Sequence, residues 1–255
     1  MPDQAAGLRA LFRPRQPQWV PVLDSPQCEG AEVVLDALVG AYLERGLNVL
    51  VVDAGARART VSELALLNLA ACMEPLSAKV SWLEARGLIS HHLDHRGSAA
   101  RLLPLLAAAA PQADVILLRA GVAEMARVLA PPQAQQTRPV LVTDLQQHNL
   151  TAAYSAMKWL RERTSTVVFG LVVAGHPDLA LTQRIARQLA DCAERFLGAA
   201  LPNWAALEPG RPKPSPALRR LARDCLQPDA GLELEAGNLP HQEGFSRSEF
   251  VAAAR

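Results

Sequence analysis

Residues 20 to 53 read VPVLDSPQCEGAEVVLDALVGAYLERGLNVLVVD, and the succession of patterns within them decides the fold. A short apolar run, Val20 to Asp24, gives way to a turn of small and polar residues, Ser25 to Gly30. A helical pattern runs from Ala31 to Arg45 and stops at Gly46, where a helix C-terminus favours glycine. Leu47 to Asp53 is apolar and valine-rich, as a strand buried on both faces must be. Strand, turn, helix and strand in this order form one unit of a wound α/β domain.

The rest of the chain repeats the theme. Asp114 to Leu118, Pro139 to Thr143 and Thr166 to Val173 read as further buried strands. Between them lie helical patterns at Ala99 to Ala109, Val122 to Ala130, Leu150 to Arg163 and Leu179 to Leu197. The expected fold is an α/β sheet, mainly parallel, with helices on both faces and a ligand edge at the carboxyl ends of the strands. Three segments follow: 1–17, a short helical pattern and linker; 18–208, the α/β domain; and 209–255, a proline-rich connector (PGRPKPSP, 209–216) with C-terminal helices at Pro216 to Leu226 and Arg247 to Arg255.

Composition narrows the classes. With 255 residues of which 50% are apolar, the chain can fill a real core. Lys+Arg 26 against Asp+Glu 25 gives a formal charge of +1, which offers no footprint for nucleic acid. The longest apolar stretch, Leu102 to Leu118, is interrupted by Pro104, Pro111, Gln112 and Asp114, and the N-terminus lacks a signal-type apolar core. A cytoplasmic protein is expected. Cys28, Cys72, Cys192 and Cys225 form no CxxC pair and read as reduced, structural thiols.

In this architecture the first turn is where a glycine-rich loop cradles phosphates. Here it reads Ser25-Pro26-Gln27-Cys28-Glu29-Gly30-Ala31-Glu32. The spacing resembles the MinD/ParA family of deviant-Walker ATPases, whose loop is GKGGxGKT, followed by a helix, a glycine and a strand ending DxD. By that resemblance the last loop glycine falls on Gly30, the next glycine on Gly46 and the first aspartate on Asp53. The signature lysine falls on Pro26, the phosphate-neutralising lysine on Ala31, the magnesium-binding hydroxyl on Glu32 and the second aspartate on Gly55. The Walker B aspartate falls on Arg119 and the base-recognising asparagine on Ala174. A site without these lysines and metal ligands has nothing to offset γ-phosphate charge. The resemblance therefore implies a degenerate nucleotide site with no cofactor, ATP and magnesium entering only if the site has been rebuilt. Arg119 either pairs with Glu32 or Asp53 in the vacated pocket or lies on the surface.

Asp3-Gln4-Ala5-Ala6-Gly7-Leu8-Arg9 resembles the DQAxxLR activator motif of the FlhG (FleN) flagellar number regulators, a branch of the same family. The resemblance implies a helix that docks on an FlhF-type GTPase and presents Gln4, whose amide can orient a hydrolytic water in trans. Asp3, Ala5, Leu8, Arg9, Leu11 and Phe12 are its candidate partner-binding residues. Thr151 to Lys158 (TAAYSAMK), Ala193 to Gly198 (AERFLG) and Ser215-Pro216-Ala217 resemble later segments of the branch in the same order. Implied with them are flagellar C-ring components as partners and peripheral placement at the cell pole or inner membrane.

Other readings carry less. His91, His92, Asp94 and His95 are metal-capable, but His91 and His95 share a face only on a helix, and Gly87 and Gly97 suggest a loop. No sequence feature sets a base beside Cys28, and His148 and His176 read as loop packing. The stripe Leu218, Leu221, Ala222 and Cys225 suits either an anionic membrane surface or packing on the domain. The expected function is an FlhG-like pseudo-ATPase adaptor. The alternatives are an active MinD/ParA-like ATPase with a rebuilt site, or a MinD-like structural component of another polar assembly.

Overall fold

The valine-rich runs pair with one another into one sheet. The computed structural model describes residues 16–23, 27–28, 30–129, 137–175, 180–208, 210 and 213–226. Within them β1 (Gln18–Leu23), β2 (Val49–Asp53), β3 (Glu74–Ser77), β4 (Val80–Glu84), β5 (Val115–Ala120), β6 (Val140–Asp144), β7 (Val168–Ala174) and β8 (Ala200–Leu207) lie in the order β3-β4-β2-β5-β1-β6-β7-β8. Every neighbouring pair is parallel except β3 and β4. Alternation along the strands feeds two cores. Val20, Val22, Val49, Val51, Val115 and Leu117 face one layer, and Leu50, Val52, Ile116 and Leu118 the other.

Helix α1 (Ala31–Leu43) covers the first layer together with α8 (Pro216–Cys225). On the second layer α4 (Leu102–Ala109), α5 (Val122–Val128), α6 (Gln147–Thr164) and α7 (Ala180–Cys192) pack side by side. Short helices α2 (Glu63–Leu67) and α3 (Leu88–His91) follow β2 and β4. The expected α/β sheet, mainly parallel with helices on both faces, is the fold observed.

Several elements differ from the sequence expectation. Strands β3, β4 and β8 carry weak sequence signals, and the sheet edges explain two of them. Pro75 stands in β3 and Pro202 in β8, which demotes a run read as sequence but suits an edge strand, where a missing N–H blunts unwanted pairing. Strand β5 runs on through Arg119 and Ala120. Helix α4 starts at Leu102, placing Pro104 in the first turn, where its missing N–H costs nothing. Helix α6 begins at Gln147, ahead of Leu150, because Asp144 Oδ1 accepts the Gln146 N–H at 2.8 Å and turns the chain early.

The connector does not release α8 from the domain. Ser215 caps it, its Oγ accepting the Leu218 N–H at 3.2 Å, with Pro216 in the first turn. Leu218, Leu221, Ala222 and Cys225 are buried in the α1 layer, so this stripe faces the domain and not a membrane surface. Gly170 admits the helix: a Cβ there would lie 3.4 Å from Leu221 Cγ. An exposed fork from Arg219 to Glu44, 2.6 and 3.0 Å, ties α8 to the end of α1. Among the described residues no helix is long and apolar enough to cross a membrane.

Candidate functional site

The carboxyl ends of the neighbouring strands β2, β5 and β1 lie beside the first turn of α1. Asp53 ends β2, and the parallel register sets it directly beside Arg119 of β5. Neighbours in register project to the same side of a sheet, and the two side chains meet as a fork. Arg119 Nε donates to Asp53 Oδ1 at 2.8 Å and Nη2 to Oδ2 at 2.6 Å. The pair is sealed, with Arg119 2% and Asp53 4% exposed. A charged pair out of water is tolerable only with this geometry and further hydrogen bonds. One is supplied by the Gly55 N–H, which donates to Asp53 Oδ1 at 2.9 Å.

Gly55 is what makes room. A Cβ at that position would stand 2.8 Å from Arg119 Nε and 3.2 Å from its Cζ, so any side chain there would displace the guanidinium. The backbone is tied in as well: the Ala54 N–H donates to the Arg119 carbonyl at 2.9 Å, and the Ala85 N–H to the Asp53 carbonyl at 2.7 Å. Of the two partners expected for Arg119, the structure selects Asp53. Glu32 is exposed on the first turn of α1, where its charge favours the positive helix end. Burial raises the nearby Asp36 carboxyl, and the charge of Glu32 adds to that rise.

Of the described loop positions, Cys28, Gly30 and Ala31 pack against the domain. Gly30 caps α1 at φ 107°, a left-handed conformation suited to glycine, and a Cβ on it would lie 3.3 Å from Ala174 Cβ at the end of β7. Ala31 and Cys28 are buried against the α1 core. From the other side Asn149 Nδ2 donates to Asp144 Oδ2 at 2.8 Å and to the Gln27 carbonyl at 3.5 Å, so α6 braces the turn. Pro26 lies outside the described residues, as do Asp3, Gln4, Ala5, Leu8, Arg9, Leu11, Phe12 and His176.

Sequence reasoning missed two contributors. Arg86, just past the unpredicted β4, donates to the Ala56 carbonyl at 3.1 Å and to Thr60 Oγ1 at 2.6 Å, holding the loop after β2. Asn149 was hidden because α6 starts a turn earlier than its apolar pattern. The histidine cluster does not assemble: α3 ends at His91, and Asp94 Oδ1 accepts the N–H groups of Arg96 and Ser98 at 2.8 and 2.9 Å. These bonds, that to Ser98 first, lower the Asp94 carboxyl. His148 lies exposed in the first turn of α6. Among the described residues no group of three or more His, Cys, Asp or Glu side chains is arranged to hold a metal ion.

The sequence matches no family model, and no curated protein resembles it at the sequence level. Solved structures do resemble the fold. Cobyrinic acid a,c-diamide synthase from Mycobacterium smegmatis, with bound ATP analogue and magnesium, superposes with a TM-score of 0.56 at 16% identity, over 81% of this chain and 93% of that one. The MinC:MinD cell division complex of Aquifex aeolicus gives 0.53 at 15%, over 89% and 99%. A ParA family ATPase from Chlorobium tepidum gives 0.50 at 13%, over 84% and 100%. At such identities the likeness is one of architecture: this chain has the fold of the MinD- and ParA-type P-loop ATPases.

Proposed function

We propose that this chain is a pseudo-ATPase of MinD/ParA type, an FlhG-like adaptor that neither binds nor hydrolyses ATP and acts through the surfaces it offers to partners. The observation that carries the reading is the sealed Arg119–Asp53 fork beneath Gly55. In a P-loop site these strand ends hold carboxylates for magnesium and a water, and lysines neutralise the phosphates. Here one carboxylate is already satisfied by an internal cation, and residues 24 to 32 contain no lysine. The residues present do not fit a magnesium–triphosphate. Arg119 takes the electrostatic place of the metal, giving a fixed charge pair where relatives of this fold hold an exchangeable one.

The activity assigned to the chain is then exercised in trans. Its Asp3-Gln4-Ala5 segment stimulates an FlhF-type GTPase, Gln4 orienting the attacking water while Leu8, Leu11 and Phe12 anchor the segment in a groove. This part rests on the DQAAGLR resemblance alone. Two experiments separate the parts. Calorimetric titration of the full chain with ATP and magnesium should give no binding heat, and saturable micromolar binding would overturn the pseudo-ATPase reading. GTP turnover by an FlhF-type GTPase should rise with the full chain and fall back to the basal rate with Gln4→Ala; equal stimulation by both would remove the activator role.

A further inference from the structure

The geometry points to a seat for the chain's own acidic segment, residues 232 to 235 (LELE), on the basic ends of α6 and of the π-helical turn Ala193–Leu197 that follows α7. Both ends lie at the amino edge of the sheet, since α6 leads into β7 and the π turn into β8. Arg161 stands in the last turn of α6, its Nη2 3.3 Å from where a Gly198 Cβ would be. Its Nε is buried without an acceptor among the described residues, and such a cationic donor calls for a carboxylate. Lys158 is exposed one turn earlier on the same side of α6. Arg195 and Phe196 are exposed on the π turn, the Arg195 guanidinium 5.4 Å from the Phe196 ring centroid and Phe196 49% exposed.

The occupant follows from where the described chain stops. Helix α8 runs down the opposite face of the sheet and ends at that same edge. Asn203 Nδ2 donates to Asp224 Oδ2 at 2.7 Å, and Asp224 and Cys225 line a small cavity with Arg138, Phe169 and Pro202. Six residues beyond Leu226 span about 20 Å when extended, enough to pass under the edge from one helical layer to the other. The charges match: residues 227 to 255 hold five carboxylate side chains against two arginines, whereas α6, α7 and the π turn hold six basic against three acidic. Leu232, Leu234, Glu233 and Glu235 lie within four residues, so one short segment carries apolar side chains for Phe196 and carboxylates for Lys158, Arg161 and Arg195. The seat and its segment form a tail clasp that does not depend on the nucleotide site.

Zero-length carbodiimide coupling of the full chain tests the clasp, because the sequence has only three lysines, Lys79, Lys158 and Lys213. Lys158 should couple to Glu233 or Glu235 within one chain, as judged from a mixture of light and heavy isotope-labelled protein. Arg161→Glu with Arg195→Glu should lower the yield roughly fivefold, with far-ultraviolet circular dichroism unchanged. In the charge-swapped chain, Arg161→Glu with Glu233→Lys and Glu235→Lys, the linkage should return with the roles exchanged. Coupling only between chains would assign the seat to a second copy, and absence of coupling would overturn the clasp outright. Binding of the intact chain to phosphatidylglycerol vesicles, lost in Arg161→Glu and unaccompanied by coupling, would make the patch a lipid site and equally overturn it.

Discussion

Arg119→Ala would leave the Asp53 carboxylate in a site that water does not reach, so the loss is dominated by the stranded charge and not by the lost attraction. Removing one half of a buried pair costs about 3–5 kcal/mol, and urea unfolding of Arg119→Ala should lose stability on that scale. The double substitution Asp53→Leu with Arg119→Leu removes both charges and should lose much less than the two single changes combined. Gly55→Ala is a sharper probe, because its methyl would stand 2.8 Å from Arg119 Nε. It should destabilise by about 1–3 kcal/mol through overpacking, an outcome that an open, solvated strand end would not give. The sequence set Asp53 and Arg119 at strand ends and offered the pair as one outcome. It left Glu32 open as the other partner because distance across strands is set by register, which no local pattern reports.

At the scale of elements, α8 is a structural member of the α1 layer. Leu221, 1% exposed, packs over Gly170, and Leu221→Ala should cost about 2–5 kcal/mol by cavity formation. The same layer buries two acidic protons. Burial pushes the Cys225 thiol from 9.0 up to about 12. It also raises the Tyr42 hydroxyl well above its ordinary 10.0, helped by Cys225. Between pH 9 and 12 the unfolded thiol is ionised and the folded one is not, so unfolding releases a proton. Stability from this group is therefore complete below pH 9 and declines as pH rises to 12, by up to about 1.4 kcal/mol per pH unit. The melting temperature should fall across this window, and Cys225→Ala should flatten its share. Tyr42 contributes a fall in the same direction beginning near pH 10. The amphipathic pattern of α8 was legible in the sequence, but which surface its stripe would meet was not, since the same stripe satisfies lipid and protein alike.

For the molecule as a whole, the expected silence toward nucleotide has a thermodynamic reading. A ligand present at a hundred times its dissociation constant stabilises the native state by about 2.7 kcal/mol, which at this size raises the melting temperature by several degrees, about 2–4 °C per kcal/mol. Millimolar ATP with magnesium should leave both the melting temperature and the sedimentation coefficient of this chain where they were. A rise of several degrees, or a nucleotide-dependent dimer, would restore the rebuilt-ATPase alternative.

The wound α/β order is legible along the chain alone, because strands buried on both faces need unbroken apolar runs and the helices between them need a 3.6-residue period. The chain also shows which chemical groups stand at the strand ends. Tertiary structure alone decided that the sheet has proline-bearing edge strands, that Arg119 closes on Asp53 while Glu32 stays in water, and that α8 turns its stripe inward. Each of these depends on which strands become neighbours and in what register, and segments far apart along the chain acquire those relations only when the sheet assembles.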